Sequence, residues 1–532
     1  MSTAPARMAA ARPQERAPSK DRAPSQERAP SQERAPPQDR AASAGRTPAS
    51  RPPVAATPRV LPKVLFVTPE MTGFVKAGGL GEVSAALPRA MRGAVDARVL
   101  IPGYREVLER FPDIVTVARL PAYRGVPACT LGRIDTPDGL VVYVVLSPEL
   151  FDREGTPYGD ASGVDWRDND IRFARLSLAA VEIARGAGPL DWRPDLLHLN
   201  DWPTGFAAGY CAWEGVSIPS VITVHNLAYQ GLFSPARMER LGVPKEAFGL
   251  DGVEFHGKMS FLKAGLSYAD HVTTVSQTYA HEITTQEFGC GLEGLLRLRA
   301  EQGRLTGIVN GIDASFDPRT DPHLAAHFDL NSWEGKDANA AAVRRAFGLG
   351  VSKGPLFAVV SRLVHQKGVD LAIDAAEAIV SAGGQIVVTG RGEGRFESEF
   401  RALARRHPGV VGVEIGFEEA NARRMYAGSD FLLMPSRFEP CGLSQMYAQR
   451  FGSLPIAHET GGLADTIDDG VTGFLFDRPN LPAFLDAIRR ALAAYGRRSR
   501  LDSMRRAAMT RPMGWDGSVR GYEGVYRQVG VG

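Results

Sequence analysis

Two cations, Arg362 and Lys367, stand five residues apart in Ser361-Arg-Leu-Val-His-Gln-Lys-Gly368, directly after the apolar run Leu356–Val360. Arg presents a planar fork of donors and Lys a compact charge, so together they can neutralise a diphosphate leaving group without a metal ion. Taken alone, both also suit a solvated surface. A carboxylate, Glu439, lies in Arg437-Phe-Glu-Pro-Cys-Gly-Leu-Ser444 after the apolar run Phe431–Met434, and Thr460-Gly-Gly-Leu463 follows the apolar Leu454–Ala457. A carboxylate at a strand end can bind sugar hydroxyls, while the amides of Gly442 and Leu443, opening a helix, take phosphate. In isolation Glu439 reads more readily as an exposed loop acid.

A third candidate is Lys76-Ala-Gly-Gly-Leu-Gly-Glu82, placed between an apolar run and a helix expected to start near Val83. Its glycines allow close backbone approach, and a helix N-terminus offers unpaired N–H groups to a phosphate or sugar oxygen. The residues also fit a plain tight turn. The spacing is neither the dinucleotide fingerprint nor the phosphate loop that ends in Gly-Lys-Ser/Thr. His198-Leu-Asn-Asp-Trp202 and Val224-His-Asn-Leu-Ala-Tyr-Gln-Gly231 each put polar groups at the end of an apolar run. His225 there is as readily a satisfied core histidine as a ligand contact. No acid pair has a spacing that marks a glycosidase, and the cysteines show no paired metal-ligand spacing.

Chemistry of this kind needs strand ends to hold it. Short β-rich runs recur at Lys63–Thr68, Ala97–Ile101, Leu140–Leu146, Leu196–Leu199, Ser220–Val224, His271–Val275, Leu356–Val360, Gln385–Thr389, Val410–Glu414 and Phe431–Met434. They alternate with helical stretches such as Arg172–Arg185 and Asp370–Ala382, a pattern that predicts parallel sheets with helical crossovers. The turn-rich stretch between Asn310-Gly-Ile-Asp313 and Leu356 is the natural cut between two doubly wound units. In open parallel sheets ligands bind beyond the carboxyl ends of the strands, so two facing units predict a site in the cleft between them.

The chain's 532 residues are enough for two or three cores. Its net charge of +2 hides +6 in residues 1–59, which leaves the remainder at −4. A mildly acidic body offers no broad basic face, so nucleic acid is not an expected partner. No apolar run approaches membrane-spanning length, and four scattered cysteines, Cys129, Cys211, Cys290 and Cys441, read as reduced thiols of a cytoplasmic protein. Residues 1–59 repeat a unit near Arg-Ala-Pro-Ser-Gln-Glu, with Arg at 16, 22, 28, 34 and 40. Such a segment has little to bury and is expected to remain an extended, solvated tail, with order beginning near Val60. Its Arg, Ala and Ser would suit an organelle-targeting peptide, but Glu15, Asp21, Glu27, Glu33 and Asp39 argue against one.

Together the motifs resemble the bacterial glycogen synthase and plant starch synthase family, from about Lys63 to the C-terminus. Ser260-Phe-Leu-Lys-Ala-Gly265, Tyr268-Ala-Asp-His271, Glu293-Gly-Leu-Leu296 and Asn310-Gly-Ile-Asp313 add to the likeness, in family order. The resemblance implies an α/β GT-B fold, with facing domains at 60–310 and 311–514 and a segment, 515–532, that returns to the first. It implies that Lys76, Gly78 and Gly79 contact the donor from the first domain while Arg362 and Lys367 hold its diphosphate from the second. Glu439, Cys441, Gly442 and Leu443 would lie against the donor glucose and phosphates, with Thr460, Gly461 and Gly462 close by. His225 and Asn226 would sit near the sugar, as would Asp201 and Tyr158. Glu82 stands where the family more often has Asp, and Ala77 where Val or Thr is usual.

The implied reaction is glucose transfer from ADP-glucose to an α-1,4-glucan primer with retention of configuration, with no metal and no cofactor. Glu439 and Lys367 are expected outside any core, so their truncation should stop turnover without harming the fold. Two other readings fit the same residues: a GT-B glycosyltransferase using another donor or acceptor, and a glucan-binding protein without activity. The choice between ADP-glucose and UDP-glucose, the oligomeric state, any effector and the role of the tail are not legible in the sequence.

Overall fold

The computed structural model describes residues 61–186 and 190–532; the Arg-rich repeat, with the expected start of order at Val60, lies outside the described residues. The first half contributes β1 (Lys63–Val67), β2 (Asp96–Pro102), β3 (Val115–Leu120), β4 (Cys129–Asp135), β5 (Val141–Leu146), β6 (Leu196–Asn200) and β7 (Ser220–Val224). A small antiparallel sheet follows, made of β8 (Leu232–Phe233), β9 (Glu254–Phe255) and β10 (Lys258–Ser260); then come β11 (His271–Thr274) and β12 (Leu305–Gly307). The large sheet runs β12-β11-β7-β6-β1-β2-β5-β4-β3. It is parallel from β12 to β5, with Leu65 opposite Arg98 on one side and Leu197 on the other.

One edge departs from the parallel expectation, because β4 is antiparallel to β5 and β3 to β4. The cause is local: Pro137-Asp138-Gly139 reverses the chain between β4 and β5, with Gly139 at φ +82°, a conformation that glycine adopts without a Cβ clash.

The second half holds β13 (Leu356–Val360), β14 (Gln385–Gly390), β15 (Val411–Ile415), β16 (Phe431–Met434), β17 (Leu454–His458) and β18 (Phe474–Phe476). These form one all-parallel sheet in the order β15-β14-β13-β16-β17-β18. Strands β6, β7, β13 and β17 are buried along their whole length, which explains why they read as continuous apolar runs and not as alternating ones. Each face of this second sheet has its own apolar cluster, one around Phe357, Phe431 and Phe484, the other around Ala358, Leu432 and Met434. At about 25 cal/mol per Å² of apolar surface, a fully buried Phe such as Phe431 contributes roughly 2–3 kcal/mol before cavity effects.

The final helix, Asp516–Gln528, packs into the core of the first half, where Tyr522, Val525 and Tyr526 are buried beside the sheet. Its anchor is His198: Nδ1 meets the Tyr526 hydroxyl at 2.7 Å and Nε2 meets Thr223 Oγ1 at 2.8 Å. Burial pushes His198 down to about 3, so the imidazole is neutral and serves as a polar link inside the core. His198 is therefore not at a strand end, as the motif suggests, but inside β6. The chain crosses between the halves twice, and the crossings touch: Ile312 N donates to Met513 O at 2.8 Å, and a Cβ on Gly311 would meet Trp515 N at 2.7 Å.

Candidate active site

Because β13, β16 and β17 are neighbours in one parallel sheet, the loops at their carboxyl ends lie side by side. Those loops are Ser361–Gly368, Pro435–Ser444 and Glu459–Leu463. Arg437 N donates to Gln366 O at 2.9 Å, and the Arg437 guanidinium reaches His365 O and Asp370, which pins the first loop on the second. The result is a direct pair: Lys367 Nζ lies 2.5 Å from Glu439 Oε2, which also accepts from Ser436 Oγ at 3.0 Å. Glu439 is 5% exposed, and the Lys367 side chain 17%. Glu439 is thus not the exposed loop acid that its stretch suggests in isolation, and the expectation that Glu439 and Lys367 stand outside any core is corrected. The Lys367 ammonium and the Ser436 hydroxyl replace the water that this buried carboxylate has lost.

Arg362 behaves differently. It is exposed, with only long contacts to Tyr229 Oη (3.4 Å) and Gln366 Oε1 (3.5 Å), so its donors are available to an anion. Among the described residues the amides of Gly442 and Leu443 donate to no protein acceptor, and Gly442 sits at φ +71°. Thr460-Gly461-Gly462 backs this turn: Gly462 N donates to Glu439 O at 3.0 Å. A Cβ on Gly461 would stand 2.0 Å from Glu439 O, and one on Gly462 2.0 Å from Cys441 O, so side chains at either position would force the two loops apart. The Cys441 thiol points away from such chemistry. It is buried with Val275, Ile312, Met446 and Met513, and burial pushes it up to about 12, so it is a neutral packing group.

In the first half the organiser is a residue that the motifs did not single out. Glu70, three residues beyond β1, is 3% exposed, and its Oε2 accepts from Ala77 N and Gly78 N at 2.7 Å each. Its Oε1 accepts from Tyr158 Oη at 3.0 Å. Glu70 thus takes up the amides before the helix, which begins at Gly79, four residues earlier than expected, and spans Gly79–Ala90. Lys76 is held in an ion pair with Glu82 on the same loop. An acid closely following the first strand was the available signal for Glu70.

A second cluster stands at the ends of β6 and β7. Asp201 Oδ1 accepts from His225 N at 2.7 Å and Asn226 N at 3.4 Å. Burial drives Asp201 up to about 7, opposed by those amide hydrogen bonds and reinforced by the nearby Glu70 charge. Its backbone is strained, with φ +54° and ψ −175° in a region that L-residues rarely adopt. His225 Nε2 meets Asn200 Oδ1 at 2.9 Å, while Asn200 Nδ2 donates to Val67 O at 3.0 Å. The second bond orients the amide, so Nε2 carries the proton and Nδ1 offers a lone pair. Burial pushes His225 down to about 3, which leaves it neutral and suits a hydroxyl contact better than proton donation. Asn226 uses its Oδ1 on Ala228 N at 3.1 Å.

The two halves meet around these groups. Arg362 approaches Tyr229 in the loop that carries His225 and Asn226, and Lys76 Nζ lies 5.9 Å from the ring centre of Phe417, which is 61% exposed. Thr460 Oγ1 and Gly461 N do not face solvent but donate to Glu282 of the first half, at 2.8 and 3.0 Å. Among the described residues no group of three or more His, Cys, Asp or Glu is placed to hold a metal ion. A separate groove of about 590 Å³, lined by Arg124, Arg153, Arg167, Arg237 and Arg240 among others, includes none of these site residues.

An oxocarbenium-forming transfer fits this arrangement: cations for a departing diphosphate, free amides for its oxygens, and neutral or anionic acceptors for sugar hydroxyls. Known proteins point the same way. Residues 63–298 match the family described as starch synthase catalytic domain, and residues 345–508 match glycosyl transferases group 1. The chain is 58% identical over 459 residues to glycogen synthase 1 of Bradyrhizobium diazoefficiens, covering 86% of this chain and 99% of that protein. It is also 58% identical to the glycogen synthase of Xanthomonas axonopodis pv. citri, covering 87% and 98%. Among solved structures, the catalytic domain of starch synthase IV from Arabidopsis thaliana, bound to ADP and acarbose, superposes with a TM-score of 0.77 at 31% identity, covering 88% of this chain and 99% of that one. Sucrose-phosphate synthase from Thermosynechococcus elongatus, 16% identical with a TM-score of 0.54, shares the fold, two facing α/β domains of GT-B type. With two family matches that span both halves and relatives this similar over nearly their whole length, the chain belongs to the glycogen synthase and starch synthase family of glycosyltransferases.

Proposed function

We propose that this glycosyltransferase moves glucose from ADP-glucose to the 4-hydroxyl at the non-reducing end of an α-1,4-glucan, with retention of configuration. The observation that carries the reading is the Lys367–Glu439 pair at 2.5 Å, set beside the exposed Arg362 and the free amides of Gly442 and Leu443. As the bond from the anomeric carbon to the diphosphate breaks, the electron pair leaves with the diphosphate. Arg362 and Lys367 stabilise that charge in place of a metal ion. The acceptor oxygen bonds to the same face of the anomeric carbon, and its proton passes to the departing diphosphate oxygen. Glu439, His225, Asn226 and Asp201 hold the sugar, while Lys76, Gly78 and Gly79 approach the donor from the first half. Tyr158 and Glu82 hold the loop around them. Closing the cleft excludes water that would otherwise hydrolyse the donor.

ADP-glucose is favoured over UDP-glucose by likeness to the ADP-bound starch synthase. The four cysteines are all unpaired thiols, which suits the reducing cytoplasm, and among the described residues no helix is long and apolar enough to cross a membrane. The test is incorporation of labelled glucose into glycogen from each nucleotide sugar, with Arg362→Ala as control. Arg362 is exposed and makes only long contacts, so its truncation reports on chemistry and not on folding. Incorporation from ADP-glucose that falls at least about 100-fold in the control, the size of a lost charge-stabilising donor, supports the reading. No incorporation from ADP-glucose refutes it.

A further inference from the structure

Two carboxylates outside the site just described join the halves of the molecule in a reciprocal way. The helix Gln277–Glu282 follows β11 in the first half, and the helix Gly461–Thr466 follows β17 in the second. Asp465 reaches the start of the first helix: its Oδ2 accepts from Gln277 N at 2.6 Å and Thr278 N at 3.2 Å, and its Oδ1 accepts from Thr278 Oγ1 at 2.6 Å. Glu282 reaches the start of the second: its Oε1 accepts from Thr460 Oγ1 at 2.8 Å and Gly461 N at 3.0 Å. Each acid thus satisfies backbone donors that the opposite helix leaves unpaired.

The place of this clamp matters. Its first helix starts two residues after Val275, which packs in one apolar cluster with Ile312, Cys441, Met446 and Met513, a cluster that includes both chain crossings. Arg511, at the second crossing, donates to Asp465 O at 3.0 Å. The other contacts between the halves described above, Arg362 with Tyr229 and Lys76 over Phe417, are long and exposed. Charge-assisted hydrogen bonds are roughly twice as strong as neutral ones, which makes the clamp the firmer of these links. The clamp also leads straight to the reacting end, because Gly462 N donates to Glu439 O and Glu439 pairs with Lys367.

We propose that Glu282 and Asp465 are positioning residues that fix the pivot of cleft closure and hold Thr460–Gly462 against the Glu439 loop during transfer. This assignment rests on the transfer reaction proposed above. Only Oε1 of Glu282 is engaged; its Oε2 is buried with no partner among the described residues. A glutamine whose carbonyl replaces Oε1 therefore keeps both contacts, whereas alanine loses both.

The test uses the full chain with Glu282→Ala, Glu282→Gln and Asp465→Ala. It reads kcat, the KM values for ADP-glucose and glycogen, and hydrogen exchange at Gln277, Thr278 and Gly461. Glu282→Ala should lower kcat by about 10–100-fold, the scale expected for a misplaced reacting group, with the KM for glycogen unchanged and exchange at Gly461 accelerated. Glu282→Gln should recover kcat to within about threefold, consistent with loss of charge but not of geometry. Asp465→Ala should accelerate exchange at Gln277 and Thr278 and lower kcat in the same way. Unchanged kcat in both alanine variants, or a glutamine variant as impaired as alanine, overturns the proposal. So does a Glu282→Ala enzyme with a lower KM for ADP-glucose and a higher kcat, since that would make Glu282 a competitor of the donor. A wild-type protein with no transfer activity defeats the functional reading, and the exchange rates then decide the clamp separately: unaltered exchange at Gly461 in Glu282→Ala refutes it.

Discussion

Lys367→Met offers the sharpest test of the site, because the structure makes it act on stability and on chemistry in separable ways. Removing the ammonium leaves the Glu439 carboxylate, 5% exposed, with Ser436 as its remaining described side-chain donor. Breaking a buried ion pair from one side costs about 3–5 kcal/mol. The lower end applies here, since the Lys367 side chain keeps 17% of its exposure. For a domain near 200 residues, about 3 kcal/mol corresponds to a Tm lower by roughly 6–12 °C. On the chemistry, losing one donor aimed at developing charge removes about 10²–10³ in kcat. Glu439→Gln added to Lys367→Met replaces the stranded charge by a neutral amide that Ser436 can still meet. The double variant should therefore regain most of the lost stability while recovering none of the lost turnover. Thermal unfolding of the wild type, both single variants and the double variant supplies one cycle, and glucose incorporation supplies the other. A double variant no more stable than Lys367→Met alone would refute the buried-pair reasoning. A Lys367→Met enzyme that retains half of the wild-type kcat would refute the catalytic assignment.

Asp201 makes a pH prediction. Its carboxyl is pushed up to about 7 in the folded chain, chiefly by burial, against about 3.9 unfolded. Between these values the folded state binds the extra proton, so the Asp201 contribution is fully present below about pH 4 and is lost as pH rises through 7. Asp201→Asn, whose Oδ1 can still accept from His225 and Asn226, should gain stability relative to wild type as pH rises from 5 to 8; a constant difference in Tm would refute this. Glu70→Ala should raise the KM for ADP-glucose about tenfold or more, because charge-assisted bonds worth roughly 1.5–3 kcal/mol each hold the Lys76 loop, whereas Glu70→Gln, with its carbonyl in place of Oε2, should remain within about threefold. Equal effects of the two variants in steady-state kinetics would remove the positioning role. Chelation with EDTA should leave the transfer rate unchanged, and a rate restored only by added Mg²⁺ would show that Arg362 and Lys367 do not suffice.

Much of the site is legible in the residues alone. Strands β13, β16 and β17 are buried on both faces, so they had to read as uninterrupted apolar runs, and the groups after them had to lie at strand ends. Glu70 was harder to see, because one acid after a strand carries no pattern until the amides of Ala77 and Gly78 turn back onto it. His198 and His225 look alike in sequence, each in a polar stretch by an apolar run. One lies within β6 and is sealed by the final helix, while the other stands just past β7 beside Asp201.

The sequence by itself determined the residue types, their order after each strand, the two-unit architecture and the family. These follow from short-range rules, in which apolar runs form buried strands and Gly-rich turns follow them. Tertiary structure alone decided that Lys367 and Glu439, 72 positions apart, form a buried pair. It decided too that Glu282 and Asp465 answer each other across the halves, 183 residues apart, with Glu282 receiving Thr460 and Asp465 receiving Gln277 and Thr278. The physical reason is the same in both cases. A carboxylate taken out of water must find donors, and which donors reach it depends on strand order and on how two domains close, neither of which any local stretch of sequence encodes.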